Sequence, residues 1–305
     1  MGPLELTGTV SEPLHGTAWG FDINVGRVTF AGTDAVPIPN GVTDWTYFNG
    51  ALLVTLVRDI DRTVPNGSAI MIAPGLAVTA AHTVSDYAEQ WAAGEASIVC
   101  VGPTPSGLVL WRVVSVAISP ADDIAYLSLE LVSEPPSSPM GVRLFPITTR
   151  TPRIGERVHV LGFRLDTLVD TRNEISMAGD LYAAAGEVTA IHHPIRDTLV
   201  MPYPTIEVAC GSLGAMSGGP VLDDQGFVFG IVGRGFDTVE GDGPTSAPWI
   251  IGGLDRVVSI PWPPDQYPDE ICVLDIHDDL VRIEGRDRLR RTAKGDLAYT
   301  PWTGG

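Results

Sequence analysis

Short apolar runs, each closed by a polar turn, recur along the whole chain. Many are rich in β-branched residues or alternate apolar with polar positions, which is typical of strands. The Pro74-Gly75 pair divides one long apolar run and predicts a tight hairpin. A short helical pattern covers 84–96, and the polar, irregular stretch 164–181 predicts a long loop. The predicted strands are 50–58, 97–102, 108–118, 123–131, 157–163, 187–193, 198–203, 205–210 and 227–233.

Strands at this spacing, separated by turn signals, indicate an all-β sandwich or barrels. The strand–helix alternation that a parallel sheet requires is missing from the pattern. The Pro/Ser segment 133–139 predicts a boundary between two halves, and FDINVGRVTF (21–30) predicts one strand or hairpin in the lead segment. The predicted organisation is an N-terminal extension (1–44), a first unit (45–139), a second unit (140–260) and an acidic C-terminal extension (261–305).

Composition narrows the possible partners. The net charge of −18 argues against nucleic acid or an anionic membrane as the main partner, because both select clustered Lys and Arg. Three widely spaced cysteines, with no CxxC pair, give no reason to expect a metal or another cofactor. The N-terminus has no secretory pattern and no apolar run reaches transmembrane length, so we expect a cytoplasmic protein.

The stretch 211–235, GSLGAMSGGPVLDDQGFVFGIVGRG, holds the first candidate for chemistry. Ser217 stands among small residues and is followed by Gly218 and Gly219. A nucleophile needs this setting, because its hydroxyl must be open to substrate and backbone N–H groups must point at a developing oxyanion. A glycine-rich hairpin turn is the structural alternative.

His82 and Asp123 are the candidate partners of Ser217. His82 closes the apolar run LAVTAAH, and Asp123 opens DIAYLSLE next to a second carboxylate, Asp122. A core histidine and an exposed strand start are the structural alternatives. The order His, Asp, Ser is that of the chymotrypsin-type triad. The α/β-hydrolase order would need Ser217 with His277 on a parallel sheet, which makes an esterase the minor alternative.

The three motifs together resemble the trypsin-like (chymotrypsin-fold) serine proteases, most of all the bacterial members without a disulfide framework. The matching segments are TAAH (79–82), DIAYL (123–127), SGGPV (217–221) and GIVGRG (230–235). The resemblance implies two antiparallel β-barrels with the site in the cleft between them, His82 and Asp123 in the first and Ser217 in the second. It also implies that Ser217 attacks a peptide carbonyl, with His82 as general base and then acid and Asp123 as its orienting partner.

The resemblance further assigns the oxyanion hole and the substrate pocket. The hole would use the backbone N–H groups of Ala215 and Ser217. The pocket would be lined by Gly211, Ser212, Gly233, Arg234 and Gly235. The two later glycines would leave it open, which favours small or medium apolar side chains, although Asp237 could restore a basic preference.

Three residues depart from the family pattern. Ala215 stands where a glycine is usual, and alanine avoids backbone conformations that glycine tolerates. The hole would therefore be strained, or misformed until a substrate or partner reorganises it. Met216 replaces the aspartate that pairs with a freshly cut N-terminus in digestive members, and Thr83 replaces a disulfide cysteine.

Two classes of function follow. The first is a serine endopeptidase acting on protein or peptide substrates, with a rate that rises with pH as the His82 imidazole loses its proton. The second is a catalytically silent trypsin-like module that binds a peptide or protein partner, which Ala215 favours. The terminal extensions would dock a regulatory protein partner or restrain the enzyme.

Overall fold

The computed structural model describes residues 4–11, 26–27, 48–104, 107–134, 143–171, 174–212, 214–235, 243–293 and 297–302. In these residues the chain is built almost entirely of strands. The strands are β1 Leu4–Ser11, β2 Gly26–Arg27, β3 Leu52–Arg58, β4 Thr63–Ala73, β5 Leu76–Ala80, β6 Ser97–Thr104, β7 Gly107–Ser119, β8 Ile124–Leu131, β9 Arg143–Leu144, β10 Ile147–Thr148, β11 Arg157–Asp170, β12 Glu174–His192, β13 Thr205–Val208, β14 Pro220–Leu222, β15 Val228–Ile231, β16 Arg234–Gly235, β17 Thr245–Pro248, β18 Val257–Val258, β19 Ile271–Cys272, β20 Ile283–Glu284, β21 Leu289–Arg291 and β22 Leu297–Tyr299. The helices are α1 His82–Ser85 and α2 Ala88–Ala92, with 3₁₀ turns at Ile250–Gly253, Val273–Asp275 and Arg286–Arg288.

The first half forms a closed six-stranded barrel in the order β3-β4-β5-β8-β7-β6. Both faces of β3, β5 and β8 are almost entirely buried, which explains their near-continuous apolar runs. Along β3, Leu52, Val54 and Leu56 belong to a core that continues into the second half. Leu53 and Val57 face a second cluster that contains Trp111. The barrel therefore packs on the second half through one face of its strands.

The second half is a sheet in the order β16-β17-β13-β12-β11-β14-β15-β10-β20, with β1 added beside β12. β15 and β16 are separated by only two residues of the chain, yet five other strands lie between them in this order. A bridge between Gly230 and Trp249 joins the two ends. The sheet therefore curls on itself. The predicted fold class, an all-β protein of two antiparallel barrels, is confirmed.

Residues 164–181 are not the loop that their polar pattern predicts. β11 continues to Asp170, turns, and returns as β12 from Glu174, and β1 pairs with the same outer part of β12. A bulge between Leu165 and Thr167 shifts the register of β11 by one residue, which breaks the alternation that marks a strand. On β12 positions 175, 177, 179 and 181 are buried at intervals of two, as a strand requires.

The prediction of a strand at 198–203 is also wrong. It is an irregular loop in which the Asp197 carboxylate accepts the backbone N–H groups of Leu199, Val200 and Met201. An aspartate that satisfies local N–H groups in this way offers the backbone an alternative to a strand ladder. The other strands predicted between 50 and 233 are present. Most of 21–30 and of the 133–139 segment lies outside the described residues.

Residues 261–302 lie against both halves. β20 pairs with β10 of the second sheet. Trp262 packs edge-on against Trp111 of the first barrel, with ring centroids 4.9 Å apart. A Cβ at Gly75, in the hairpin turn, would lie 2.0 Å from the Trp262 carbonyl oxygen, so glycine is required there. Among the described residues, every helix is too short or too polar to cross a bilayer.

Candidate active site

Strand register brings His82 next to Asp123. β5 and β8 pair antiparallel with Ala80 opposite Ile124. The ladder extends one step further, because the Ala81 N–H donates to the Asp123 carbonyl at 2.9 Å. His82 follows β5 and Asp123 precedes β8, so both side chains emerge at the same rim of the barrel. The two sequence motifs are thus joined by neighbouring strands of one barrel.

Asp123 is bound closely to His82. The His82 backbone N–H donates to Asp123 Oδ1 at 3.0 Å, and the ring Nδ1 lies 3.0 Å from Oδ2. Asp123 is 6% exposed and adopts a left-handed backbone with φ of +52°, which is uncommon for a residue other than glycine. Asp122 is engaged elsewhere, since it accepts the Ser119 hydroxyl at 2.6 Å. Of the two adjacent carboxylates, only Asp123 contacts the imidazole.

Tyr203 is a third contact of this pair that the sequence patterns did not reveal. Its hydroxyl donates to Asp123 Oδ2 at 3.1 Å, and the residue is buried. Burial and, next, the Asp123 carboxylate raise the pKa of the Tyr203 phenol, while the Arg234 guanidinium opposes the rise. A buried tyrosine needs a partner for its hydroxyl. That signal existed in the sequence, but the partner could not be identified without the fold.

The turn that carries Ser217 is packed so closely that its glycines are needed for space. A Cβ at Gly218 would lie 2.1 Å from the Ser68 carbonyl oxygen, and one at Gly219 would lie 2.0 Å from that of Leu161. Gly218 also has a left-handed φ of +85°. The Ser217 hydroxyl donates to the Gly233 carbonyl at 3.0 Å, its only hydrogen bond among the described residues. His82 and Ser217 line one open cavity of about 360 Å³.

Two backbone N–H groups of this turn are available to a ligand. Within the described part of the chain, the N–H groups of Ala215 and Ser217 have no acceptor. Ala215, at the position where the family usually has glycine, adopts a left-handed φ of +73°. For an alanine this conformation costs about 1–2 kcal/mol. The Ser217 turn therefore holds an alanine in a backbone conformation that favours glycine.

Ser68 ties the turn to the first barrel and was missed by motif analysis. Its N–H donates to the Ser217 carbonyl at 2.7 Å. Its fully buried hydroxyl accepts the Phe163 N–H at 2.9 Å and donates to the Ala215 carbonyl at 3.4 Å. A single serine thus connects β4, β11 and the Ser217 turn. Nothing in the local sequence distinguishes it from an ordinary strand serine.

Four of the five expected pocket residues line the cavity, namely Ser212, Gly233, Arg234 and Gly235. Two of these residues are glycines because the backbone is closely approached there. A Cβ at Gly235 would lie 2.7 Å from Ser212 Oγ, and one at Gly233 would lie 2.6 Å from the Pro248 ring. The two glycines are therefore close-packing positions rather than gaps. Asp237 lies outside the described residues.

A family model described as a trypsin-like peptidase domain matches residues 67–231, more than half of the chain. The chain belongs to this family. The matched span includes all three motif residues of the trypsin-like domain, His82, Asp123 and Ser217. Curated protein sequences gave no match.

Several solved protease structures are similar to this chain at low sequence identity. The MamO protease domain from Magnetospirillum magneticum, in its apo form, is 17% identical with a TM-score of 0.47, over 67% of this chain and 93% of that one. The active form of Rv3671c protease from M. tuberculosis is 16% identical with a TM-score of 0.47, over 77% and 89%. The HtrA-type protease AlgW, solved with a decapeptide, is 16% identical with a TM-score of 0.47, over 67% and 62%. These are distant likenesses of fold.

The remaining candidate groups lie away from this cavity. Cys100, Cys210 and Cys272 are free thiols. No cluster of three or more His, Cys, Asp or Glu side chains in the described ranges could hold a metal ion. His277, the histidine of the esterase alternative, is 74% exposed with its Nδ1 3.2 Å from Asp279. The parallel sheet which that alternative requires is contradicted by the antiparallel trypsin-like fold.

Proposed function

We propose that this chain is a serine endopeptidase that hydrolyses peptide bonds in protein substrates. The observation that carries the proposal is the shared cavity of His82 and Ser217, with Asp123 bound behind the imidazole. Nδ1 of the ring faces the carboxylate, which leaves Nε2 as the nitrogen for proton transfer with the serine. The reaction needs no cofactor, because nucleophile, base and oxyanion donors all come from the chain.

In the first half-reaction Ser217 Oγ attacks the carbonyl carbon of the scissile peptide. Its proton passes to His82 Nε2, and the carbonyl oxygen becomes an oxyanion facing the N–H groups of Ala215 and Ser217. Asp123 stabilises the imidazolium that forms. His82 then protonates the leaving amine, the C–N bond breaks, and an acyl-enzyme remains on Ser217.

In the second half-reaction a water molecule takes the place of the amine. His82 removes a proton from the water, which attacks the acyl carbon, and then returns the proton to Ser217 Oγ as the ester bond breaks. The free serine and a carboxylic acid product remain. Before the first attack the Ser217 hydroxyl must leave the Gly233 carbonyl and turn towards the imidazole.

A catalytically silent, peptide-binding module is the second candidate, and two observations favour it. The left-handed Ala215 strains the turn, and the Ser217 hydroxyl is hydrogen-bonded to a carbonyl rather than to the base. Such a module would bind peptides in the same cavity and release them uncut.

A fluorophosphonate probe separates the two candidates, because it labels only an activated serine. We expect the wild-type protein to be labelled at Ser217, as located by peptide mass spectrometry, and to cleave an unfolded protein substrate. Ser217→Ala should lose both properties and keep its fold. Ser97→Ala, at an exposed position on β6, is the matched control and should behave as wild type. A wild-type protein that is never labelled, even with peptide present, would leave the silent module as the function.

A further inference from the structure

We propose that Tyr203 is a positioning residue, whose hydroxyl fixes the Asp123 carboxylate in the orientation that presents the His82 imidazole to Ser217. The inference rests on the proposed peptidase function and names a residue for it beyond the three motif positions. It follows from the contacts of the carboxylate, the rigidity of the loop that carries Tyr203 and the charges that surround it.

The contacts of Asp123 divide unequally between its two oxygens. Oδ1 accepts the His82 backbone N–H at 3.0 Å and lies 3.2 Å from Nδ1. Oδ2 lies 3.0 Å from Nδ1 and accepts the Tyr203 hydroxyl at 3.1 Å. Without Tyr203 the only remaining contact of Oδ2 would be the imidazole itself, and less would oppose rotation of the carboxylate about its Cβ–Cγ bond. The tyrosine therefore fixes the plane of the carboxylate, and with it the tilt of the imidazole.

The loop before Tyr203 is built to hold the phenol still. Asp197 Oδ1 accepts three backbone N–H groups at 2.6–3.2 Å, from Leu199, Val200 and Met201. These donors lower the pKa of Asp197 to about 2, so its carboxylate stays charged at any pH used for an assay. The Arg196 N–H then closes the loop by donating to the Tyr203 carbonyl at 3.2 Å, and the Thr205 hydroxyl donates to the same carbonyl at 3.0 Å.

Burial and the neighbouring carboxylate keep the Tyr203 phenol protonated, so it acts as a hydrogen-bond donor. Burial and the Asp123 carboxylate raise the pKa of its phenol above the ordinary value of 10.0, so the hydroxyl keeps its proton throughout the working range. Among the described residues, the titratable or charged side chains that contact the His82–Asp123 pair are Tyr203 and, through Tyr203, Arg234. The bond also spans the two halves of the molecule, since Asp123 belongs to the first barrel and Tyr203 leads into β13 of the second.

Tyr203→Phe removes the hydroxyl and keeps the ring. Because a hydrogen bond to a charged group contributes appreciable free energy, we expect its loss to lower kcat about 10-fold and to leave KM unchanged within twofold. Without this donor the Asp123 carboxylate attracts the imidazolium more strongly, so the acid limb of the pH–rate profile should move to higher pH. Tyr267→Phe is the matched control, because it removes another largely buried hydroxyl, one that donates to the Pro74 carbonyl at 2.8 Å, and should leave kcat and the pH profile unchanged.

A measurement that does not use turnover keeps this test separate from that of the proposed function. The His82 ring can be titrated by NMR, assigned with His82→Gln, in the wild type and in Tyr203→Phe. A titration that moves to higher pH in Tyr203→Phe but not in Tyr267→Phe supports the positioning role, even if the protein proves to be a silent module. Unchanged kcat and an unchanged His82 titration in a folded Tyr203→Phe protein would overturn it.

Asp197→Ala provides a second variant that leaves Tyr203 itself intact. The Asp197 side chain is partly exposed and lies outside the hydrophobic core, so the substitution loosens the loop without opening the core. We expect the same direction of change as for Tyr203→Phe, at a smaller size of about threefold in kcat, because the phenol can still reach Asp123 part of the time. No change in either kcat or the His82 titration would contradict a role for the loop in holding the phenol.

Discussion

The two halves of the candidate site are secured in different ways. His82 and Asp123 lie on neighbouring strands of one closed barrel, and their hydrogen bonds continue a ladder that the barrel already contains. Ser217 lies on a turn of the second half that is held by hydrogen bonds to Ser68 of β4 and to Val232, just after β15. The turn contains an alanine in a left-handed conformation. The His82–Asp123 pair is thus part of the barrel, whereas Ser217, the proposed nucleophile, lies on a turn that packs against it.

This difference shows where control over activity can reside. Changing the register of β5 and β8 would disrupt the barrel, so the acid–base pair is present whenever the protein is folded. The Ser217 turn can change conformation at the expense of a few contacts. We therefore expect changes in the first half of the site to remove activity outright and changes around the turn to adjust it.

Asp123→Asn tests the acid–base half and should have the largest effect. An asparagine would keep the packing but present the wrong partner to Nδ1, and in a well-studied triad such a change lowers kcat by about 10⁴-fold. Steady-state hydrolysis of an unfolded protein substrate measures the change. Asp122→Asn is the matched control, since that carboxylate binds Ser119 instead, and it should lower kcat by no more than a few-fold. The reverse ranking would mean that the wrong aspartate has been paired with His82.

Ser68→Ala tests the link between the two halves. It removes the hydroxyl that bonds Phe163 and Ala215, so kcat should fall about 10-fold and the free energy of unfolding by about 1–3 kcal/mol, the cost of an unsatisfied buried N–H. Urea unfolding and steady-state kinetics measure the two effects. Ser128→Ala is the control, because that buried hydroxyl of the same barrel has no partner among the described residues. Equal loss of activity in both variants would mean that the Ser68 contacts do not matter to the turn.

Ala215→Gly tests the strain in the turn and should have the smallest effect. Glycine adopts the left-handed conformation freely but loses more entropy on folding, so the free energy of unfolding should rise by at most about 1 kcal/mol. We expect kcat to stay level or rise a few-fold, because the N–H of residue 215 would be placed without strain. Ala298→Gly, on the exposed edge strand β22, should instead lower stability. A stability loss of equal size at position 215 would show that Ala215 carries no strain.

Sequence patterns predicted the barrels and the motif residues because each depends on local order. Apolar runs predicted β3 to β8, and the placement of His82 and Asp123 at run ends anticipated their meeting. The family pattern marks Ala215 as the position of the turn where glycine is usual, and Ala215 has a left-handed φ. The sequence favours Asp123 over Asp122 because Asp123 directly adjoins the apolar strand, and the ladder between β5 and β8 places it beside His82.

What the sequence did not predict depends on contacts between distant segments. The bulge at Leu165–Thr167 hid the long β11–β12 hairpin, because one extra residue breaks the alternation of a strand. Ser68 and Tyr203 belong to no motif, and each gains its importance from a partner more than 70 residues away in the sequence. The need for glycine at position 235 depends on Ser212, which approaches it only in the folded chain.

The C-terminal segment also determines how far the chain can be shortened. β20 occupies the hydrogen-bonding edge of β10, and Trp262 covers Trp111. A chain ended at residue 260 would keep every motif residue but expose an unpaired strand edge and an aromatic patch, both of which promote association between molecules. A minimal version of this protein that remains monodisperse therefore has to retain this segment, although no catalytic residue lies in it.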